Sequence, residues 1–264
     1  MLPYLFSIFG FRLPTYGLLV ALALLLALAL TGKLARRAGA DPEKILNLGM
    51  YCAMAGIVGA KLMMILADWP EYAQDPSRIF SMATLQAAGI FYGGFLAALG
   101  VAFVYMRRFK LPVLATADLF APGVALGHAI GRIGCFAAGC CWGVETHLPW
   151  AVTFRNPDAY ELVGVPLGKP LHPTQIYESL AELAICGFLY WRSAKPHQPG
   201  ALIGQYLALY STVRFLVDFV RRHDQANPFN GPFTTAQWIS LGLIAWAAAG
   251  AYRAASGKKQ RAAT

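Results

Sequence analysis

Three observations predict an all-α integral membrane protein with about seven transmembrane helices and an outer-side loop or small head region. Hydrophobic residues fill 57% of the 264 positions and charged residues only 13%. A soluble domain carries roughly a quarter charged residues to cover its surface, so most of this surface is expected to face lipid. Mean hydropathy is +0.49. Apolar segments of spanning length, roughly 20 residues each, recur along the chain and are separated by Lys- and Arg-bearing loops.

The segments run near Pro14–Thr31, Ile45–Leu66, Gln86–Met106, Pro112–Gly134, Pro173–Trp191, Ala201–Val220 and Thr235–Tyr252. The first is uninterrupted from Tyr16 to Leu30. Only Arg12 precedes it, without the basic cluster of a cleaved secretory signal, so the first span itself is expected to direct insertion. Neither a repeat nor a low-complexity tract is evident, and residues 1–264 read as one polytopic membrane domain. Residues 143–171 form the longest connection. Trp150, Val152 and Phe154 followed by the turn signal Asn156-Pro157-Asp158 suit a short β element, a lid or a plain connector.

The net charge of +9 raises two function classes. Nothing resembles a recognition helix or basic groove, so nucleic acid is not an expected partner. Basic loops that orient a membrane protein account for the charge instead. Lys33, Arg36, Arg37, Lys44, Arg107, Arg108, Lys110, Arg192, Lys195, Arg253, Lys258, Lys259 and Arg261 fall on one side, against Arg12, Arg78, Arg155, Lys169, Arg221 and Arg222 on the other. The richer side is cytoplasmic by the positive-inside rule. This places the N-terminus on the outer, periplasmic side and the C-terminus in the cytoplasm.

With that orientation, the polar residues inside spans gather on the periplasmic side of the midplane. Tyr16 opens the first span, Lys61 lies late in the second and Tyr92 early in the third. Arg132 is late in the fourth, and His172, Gln175, Tyr177 and Glu178 open the fifth. Tyr210, Arg214 and Asp218 are spaced by four and stack on one helix face. Intramembrane charges mark function or a partnered structural site. Arg214 and Asp218 therefore either tie helices together or, with Arg132, form a cationic pocket for an anionic head group. Gly127, Gly131 and Gly134 around Arg132, and Gly93 and Gly94 after Tyr92, suit close helix packing or approach of a phosphate to the backbone.

Cys52 and Cys186 read as small buried hydrophobes. Cys135, Cys140 and Cys141 lie at the outer mouth of the fourth span, where buried thiols, a disulfide and a direct role all remain open. A zinc site is not expected, because the spacing lacks Cys-x-x-Cys pairs and a nearby fourth ligand. A transporter would show a repeat and a midplane site with broken helices, and neither is evident.

The run PGVALGHAIGRIGCFAAGCCWG, Pro122 to Gly143, resembles the signature region of the prolipoprotein diacylglyceryl transferases. HPTQIYES (His172 to Ser179), GQYLALYSTVRFLVDFVRR (Gly204 to Arg222) and TTAQWISL (Thr234 to Leu241) follow in the family's order. RLPTYGLL, GIVGAKL and IFYGGF, around Tyr16, Lys61 and Tyr92, fit upstream. The resemblance implies a monomeric seven-span enzyme of a bacterial inner membrane, with an outward-facing site between helices and no metal or organic cofactor. It implies transfer of the diacylglyceryl group of phosphatidylglycerol, a membrane lipid, to the lipobox cysteine of a prolipoprotein. Tyr92, Arg132 and Arg214 become the candidate catalytic residues. Arg132, Tyr16, Lys61, His172, Gln175, Glu178, Tyr210, Asp218 and Gly143 become the candidate substrate-binding residues.

Two departures stand out. A histidine is usual where Tyr92 stands, and His172 or Asp218 are the other candidates for taking the thiol proton. The family's Asn-Phe-x-Asn-x-Glu places Asn, Asn and Glu where this chain has Cys135, Ala138 and Cys140. A divergent paralogue with another phospholipid or acceptor, or a non-catalytic lipid-binding protein, therefore stays open.

Overall fold

A computed structural model describes residues 2–8, 11–87, 89–223, 227–228 and 231–262. The basic side chains of Arg253, Lys258, Lys259 and Arg261 lie outside the described ones. The chain is predominantly helical. A hairpin, β1 (Tyr4–Ile8) and β2 (Phe11–Pro14), leads into α1 (Thr15–Arg37) and α2 (Pro42–Ala67). Then come α3 (Trp69–Gln74), a 3-10 turn (Pro76–Phe80), α4 (Met82–Gln86), α5 (Phe91–Arg108) and α6 (Val113–Ala138). Strand β3 (Val152–Thr153), α7 (Pro157–Val163) and β4 (Pro170–Leu171) precede α8 (Thr174–Ser193), α9 (Ala201–Asp218) and α10 (Thr235–Ala262).

Seven of the described helices, α1, α2, α5, α6, α8, α9 and α10, reach 18 residues or more, and each overlaps one apolar segment of the sequence. By length and composition, α1, α2 and α6 are apolar enough to cross a membrane. Helices α8 and α9 fall short for an identifiable reason. They bury Gln175, Glu178, Ser179, Glu182, Ser211 and Asp218 inside the protein, so their polar content faces protein rather than lipid. The third segment starts later than its apolar run suggests. Gly89 is left-handed at φ +77°, and α5 begins only at Phe91.

Two compact units are distinguishable, residues 31–116 and residues 1–30 with 117–264. In the first, α2 and α5 cross through glycine. A Cβ on Gly93 would stand 2.2 Å from Met63 Cβ and 2.5 Å from the Gly59 carbonyl oxygen. A Cβ on Gly94 would stand 2.6 Å from the Gly56 oxygen. Only glycine permits that approach. These two glycines are therefore packing residues. Helix α2 starts on Asp41, whose carboxylate accepts from the Glu43 and Lys44 amides ahead of Pro42 at the first helical position, a standard N-terminal stop. The Lys44 ammonium at 3.1 Å helps hold the Asp41 carboxyl below its usual range.

In the second unit α6, α8 and α9 share a core of Ala121, Ala125, Ile185, Leu189, Leu202 and Tyr206, and α9 also packs on α10. Small residues let α1 against α6: a Cβ on Gly134 would meet Tyr16 Cδ2 at 3.2 Å, and one on Gly127 would meet Ala27 Cβ at 3.4 Å. At one end of the bundle Asp118 of α6 accepts from the Gly200 and Ile203 amides at 2.7 and 2.8 Å, capping α9 from another helix. Residues 143–171 form a small head with its own core of Phe154, Ala159, Val165 and Leu171. Its Asn156-Pro157-Asp158 signal is a helix N-cap rather than a free turn. Asn156 accepts from the Asp158 amide at 2.9 Å, and α7 follows until Gly164 takes the left-handed C-cap.

Candidate active site

The end of the bundle opposite Asp118 is where the polar residues meet. Glu178, in the first turns of α8, is buried. Arg132, late in α6, reaches it with its guanidinium. Its Nη2 donates to Glu178 Oε1 at 2.9 Å, and its Nε lies 2.8 Å from Oε2. The first contact is a hydrogen bond and the second an ion-pair contact, and the buried Nε has no hydrogen-bond partner among the described residues. Arg221, just past α9, donates to the same Oε1 at 3.2 Å. Arg214 approaches it at 3.8 Å while pairing with Asp218 at 2.6 Å. The spacing of four thus places Arg214 and Asp218 in contact on one face. Asp218 also accepts from Thr234 Oγ1, which brings the residue preceding α10 to the same site. Three guanidiniums face two carboxylates, leaving one positive charge in surplus.

A second polar layer lies one turn deeper. His128 and Glu182 are four residues from Arg132 and Glu178 on their helices, and His128 Nδ1 stands 3.2 Å from the buried Glu182 carboxylate. Tyr210 packs edge-on to His128 and stacks on Tyr206. Sequence reasoning passed over His128, Glu182 and Arg221. The first two carry the same four-residue spacing as the pair above them, while Arg221 lies beyond the apolar run and was counted as a loop charge.

Backbone contacts weld the mouth of this site. The amides of Gly143 and His172 donate to His172 and Val144 carbonyls, each at 3.0 Å, and Val144 donates to Val220 at 2.9 Å. A Cβ on Gly143 would stand 2.5 Å from His172 Cβ and 2.6 Å from the Val220 oxygen. Gly143 is thus a close-approach glycine between the entry to α8 and the exit from α9. His172 Nδ1 lies 3.2 Å from Tyr177 OH, which also accepts from Trp150 Nε1 at 2.7 Å. Gln175 Nε2 and Thr174 Oγ1 donate to the Cys140 and Cys141 carbonyls, both at 2.6 Å. These bonds hold the loop beyond α6.

That loop brings the Cys135, Cys140 and Cys141 sulfurs within 4.8 Å of one another, and all three are free thiols. Arg132 Nη1 lies 3.7 Å from Cys135 Sγ. Hydrogen bonds from Cys135 and Cys140 draw the Cys141 thiol below its ordinary value, and Arg221 and Arg132 assist against burial. The same thiol contacts push Cys140 up, with burial adding to the effect.

Two predicted site residues belong to the 31–116 unit. Lys61 donates to the carbonyls of Thr84, Leu85 and Ala87, so all three ammonium hydrogens are taken by the C-terminal half of α4 and the residue that follows it. Tyr92 is 60% exposed at the start of α5, with its ring against Phe91.

The family model for prolipoprotein diacylglyceryl transferase matches residues 3–253. The chain belongs to the prolipoprotein diacylglyceryl transferase family. It is similar to phosphatidylglycerol–prolipoprotein diacylglyceryl transferase 2 of Clostridium perfringens, 34% identical over 239 residues and 90% of each chain. The C. tetani transferase is 33% identical, covering 92% of this chain and 94% of its own. The Nostoc enzyme is 34% identical, covering 94% and 87% respectively. Within this transferase family, the matched span takes in every residue of the arginine–carboxylate cluster and the head that adjoins it.

Proposed function

We propose that this protein transfers the diacylglyceryl group of phosphatidylglycerol to the lipobox cysteine of prolipoproteins, forming a thioether and releasing glycerol phosphate. The observation that carries the reading is the arginine cluster around Glu178, with its one surplus positive charge. The reaction is a substitution at saturated carbon, and negative charge grows on the departing phosphate. Oriented guanidiniums stabilise that charge best where water is excluded. Arg132 and Arg214 are the catalytic candidates, and Glu178 and Asp218 hold them in place before substrate arrives. Tyr16, His172, Gln175, Tyr210 and Gly143 shape and support the lipid site. Lys61 anchors the 82–87 segment.

Tyr92 takes its role from its place before the Gly-Gly pair. A phenol carries its own O–H, so Tyr92 serves better as a hydrogen-bond donor than as a proton acceptor. The setting we propose is one seven-span domain, acting as a monomer in a bacterial inner membrane, with the site facing the periplasm. A second reading, transfer to a different thiol, draws on the cysteines at positions 135 and 140.

The test is transfer from phosphatidylglycerol to a lipobox peptide, comparing wild type with Arg132→Lys. Lysine keeps the charge but lacks the planar guanidinium that contacts both Glu178 oxygens. Loss of most activity with retained folding is expected, and near-normal transfer removes Arg132 from the mechanism. If wild type forms no thioether with the lipobox peptide but does so with another thiol, the second reading replaces the first.

A further inference from the structure

Three thiols converge at the C-terminal end of α6. Cys135 sits in the last turn of α6, and the chain then reverses through Gly139 at φ +85° and Cys141 at φ +64°. The left-handed region is uphill for a residue with a side chain and persists only where neighbours over-determine it. Thr174 and Gln175, both fully buried, do so by gripping the Cys141 and Cys140 carbonyls at 2.6 Å.

The three sulfurs that result lie within 4.8 Å of one another. Thiolates sharing one ion at about 2.3 Å stand about 3.8 Å apart in a tetrahedron. A disulfide would need only two sulfurs; the gathering of all three is what a three-thiolate metal site needs. Charge selects the ion. Three thiolates around a divalent ion carry one negative charge in excess. The adjacent set of Arg132, Arg214 and Arg221 against Glu178 and Asp218 carries one positive charge in excess. Before the acceptor binds, a monovalent ion would leave two negative charges where a divalent ion leaves one, and the incoming thiolate adds one more in either case.

Building on the transferase reading, we propose that Cys135, Cys140 and Cys141 bind a divalent d10 ion of the zinc group whose fourth position takes the acceptor thiol. Three protein ligands leave one tetrahedral position open, as in sites that act on substrate. A thiol that ligates such an ion is deprotonated outright, and its proton passes to solvent. The bound thiolate then attacks the glycerol carbon. A carbon–sulfur bond forms as the carbon–oxygen bond to phosphate breaks, and the electron pair leaves with glycerol phosphate beside Arg132. No oxidant or reductant is consumed. The ion supplies the thiolate that a phenol at position 92 is poorly suited to generate.

The experiment uses the full chain in detergent under reductant, stripped with a chelator and titrated with Cd2+. One equivalent per chain is expected, with sulfur-to-cadmium charge-transfer absorbance that each of Cys135→Ser, Cys140→Ser and Cys141→Ser weakens. Adding a lipobox peptide should raise that absorbance by about a third as four thiolates replace three. A peptide with serine in place of the cysteine should not. Binding equal in wild type and a triple Ser variant overturns the proposal, as does indifference to the peptide thiol. A disulfide among the three, trapped by alkylation in intact cells, overturns it too.

The transfer assay separates the two readings. If stripped protein transfers at the full rate, the metal inference falls and the transferase reading stands. If zinc-loaded protein ligates the peptide thiol but makes no thioether, the transferase reading falls and the thiol site stands.

Discussion

Glu178 is one carboxylate within reach of three guanidiniums, and its removal leaves buried cations rather than a simple gap. Removing one partner of a buried pair typically costs about 3–5 kcal/mol, because an uncompensated charge remains. Glu178→Gln should therefore lower the thermal midpoint in detergent sharply and abolish transfer. Adding Arg221→Gln to it should recover part of the lost stability, since one unpaired cation is removed with it. Strict additivity of the two changes would show that Arg221 and Glu178 are not coupled. The four charged members Arg132, Glu178, Arg214 and Asp218 were legible in the sequence, because charge inside an apolar run is conspicuous. The gathering of Cys135, Cys140 and Cys141 was not. Helical spacing stops at Ala138, and the two left-handed residues beyond it fold the later thiols back in a way that no periodicity encodes.

Apolar runs reveal where helices lie better than they reveal why a glycine is there. Gly93 and Gly94 were equally compatible with phosphate approach and with packing, and only the position of Met63 and Gly59 decides. A methyl group on Gly93 has nowhere to go, whereas Gly100 of the same helix has nothing within 4 Å of a built Cβ. Gly93→Ala should thus destabilise the protein by about 1–3 kcal/mol through overpacking. Gly100→Ala should be neutral or stabilising by up to about 1 kcal/mol, since alanine is the better helix former. Thermal denaturation of the two variants in the same detergent checks this, and equal effects would remove the α2–α5 crossing from the explanation. Short elements were the least legible. Helices α3 and α4 lie between apolar runs, and α7 was announced by Asn156-Pro157, a pair that starts a helix as readily as a turn.

At the scale of the whole molecule, the distribution of basic residues decides which end of the bundle is expected to meet the periplasm. The arginine–carboxylate cluster occupies one end of α6, α8 and α9, and Asp118 with Gly200 and Ile203 marks the other. Near that second end are Arg192, at the close of α8, and Lys195 in the loop beyond it. Arg107 and Arg108 close α5, and Arg36 and Arg37 close α1. Basic residues at helix C-termini also complement the helix dipole, but that effect ends within a turn. It does not explain why the loops after α1, α5 and α8 carry more Lys and Arg than the head at 143–171. The positive-inside rule does, and it predicts a cytoplasmic loop around Phe109 and a periplasmic head around His147. Single cysteines introduced at positions 109 and 147, in a background with all five native cysteines changed to Ser, should react differently with an impermeant maleimide in intact cells. Position 147 should label at once, and position 109 only after the membrane is opened. Labelling of position 109 in intact cells would invert the orientation and put the arginine cluster on the cytoplasmic side. A prolipoprotein thiol exported across the membrane could not reach it there, so the proposed acceptor depends on this measurement as directly as on any assay of transfer.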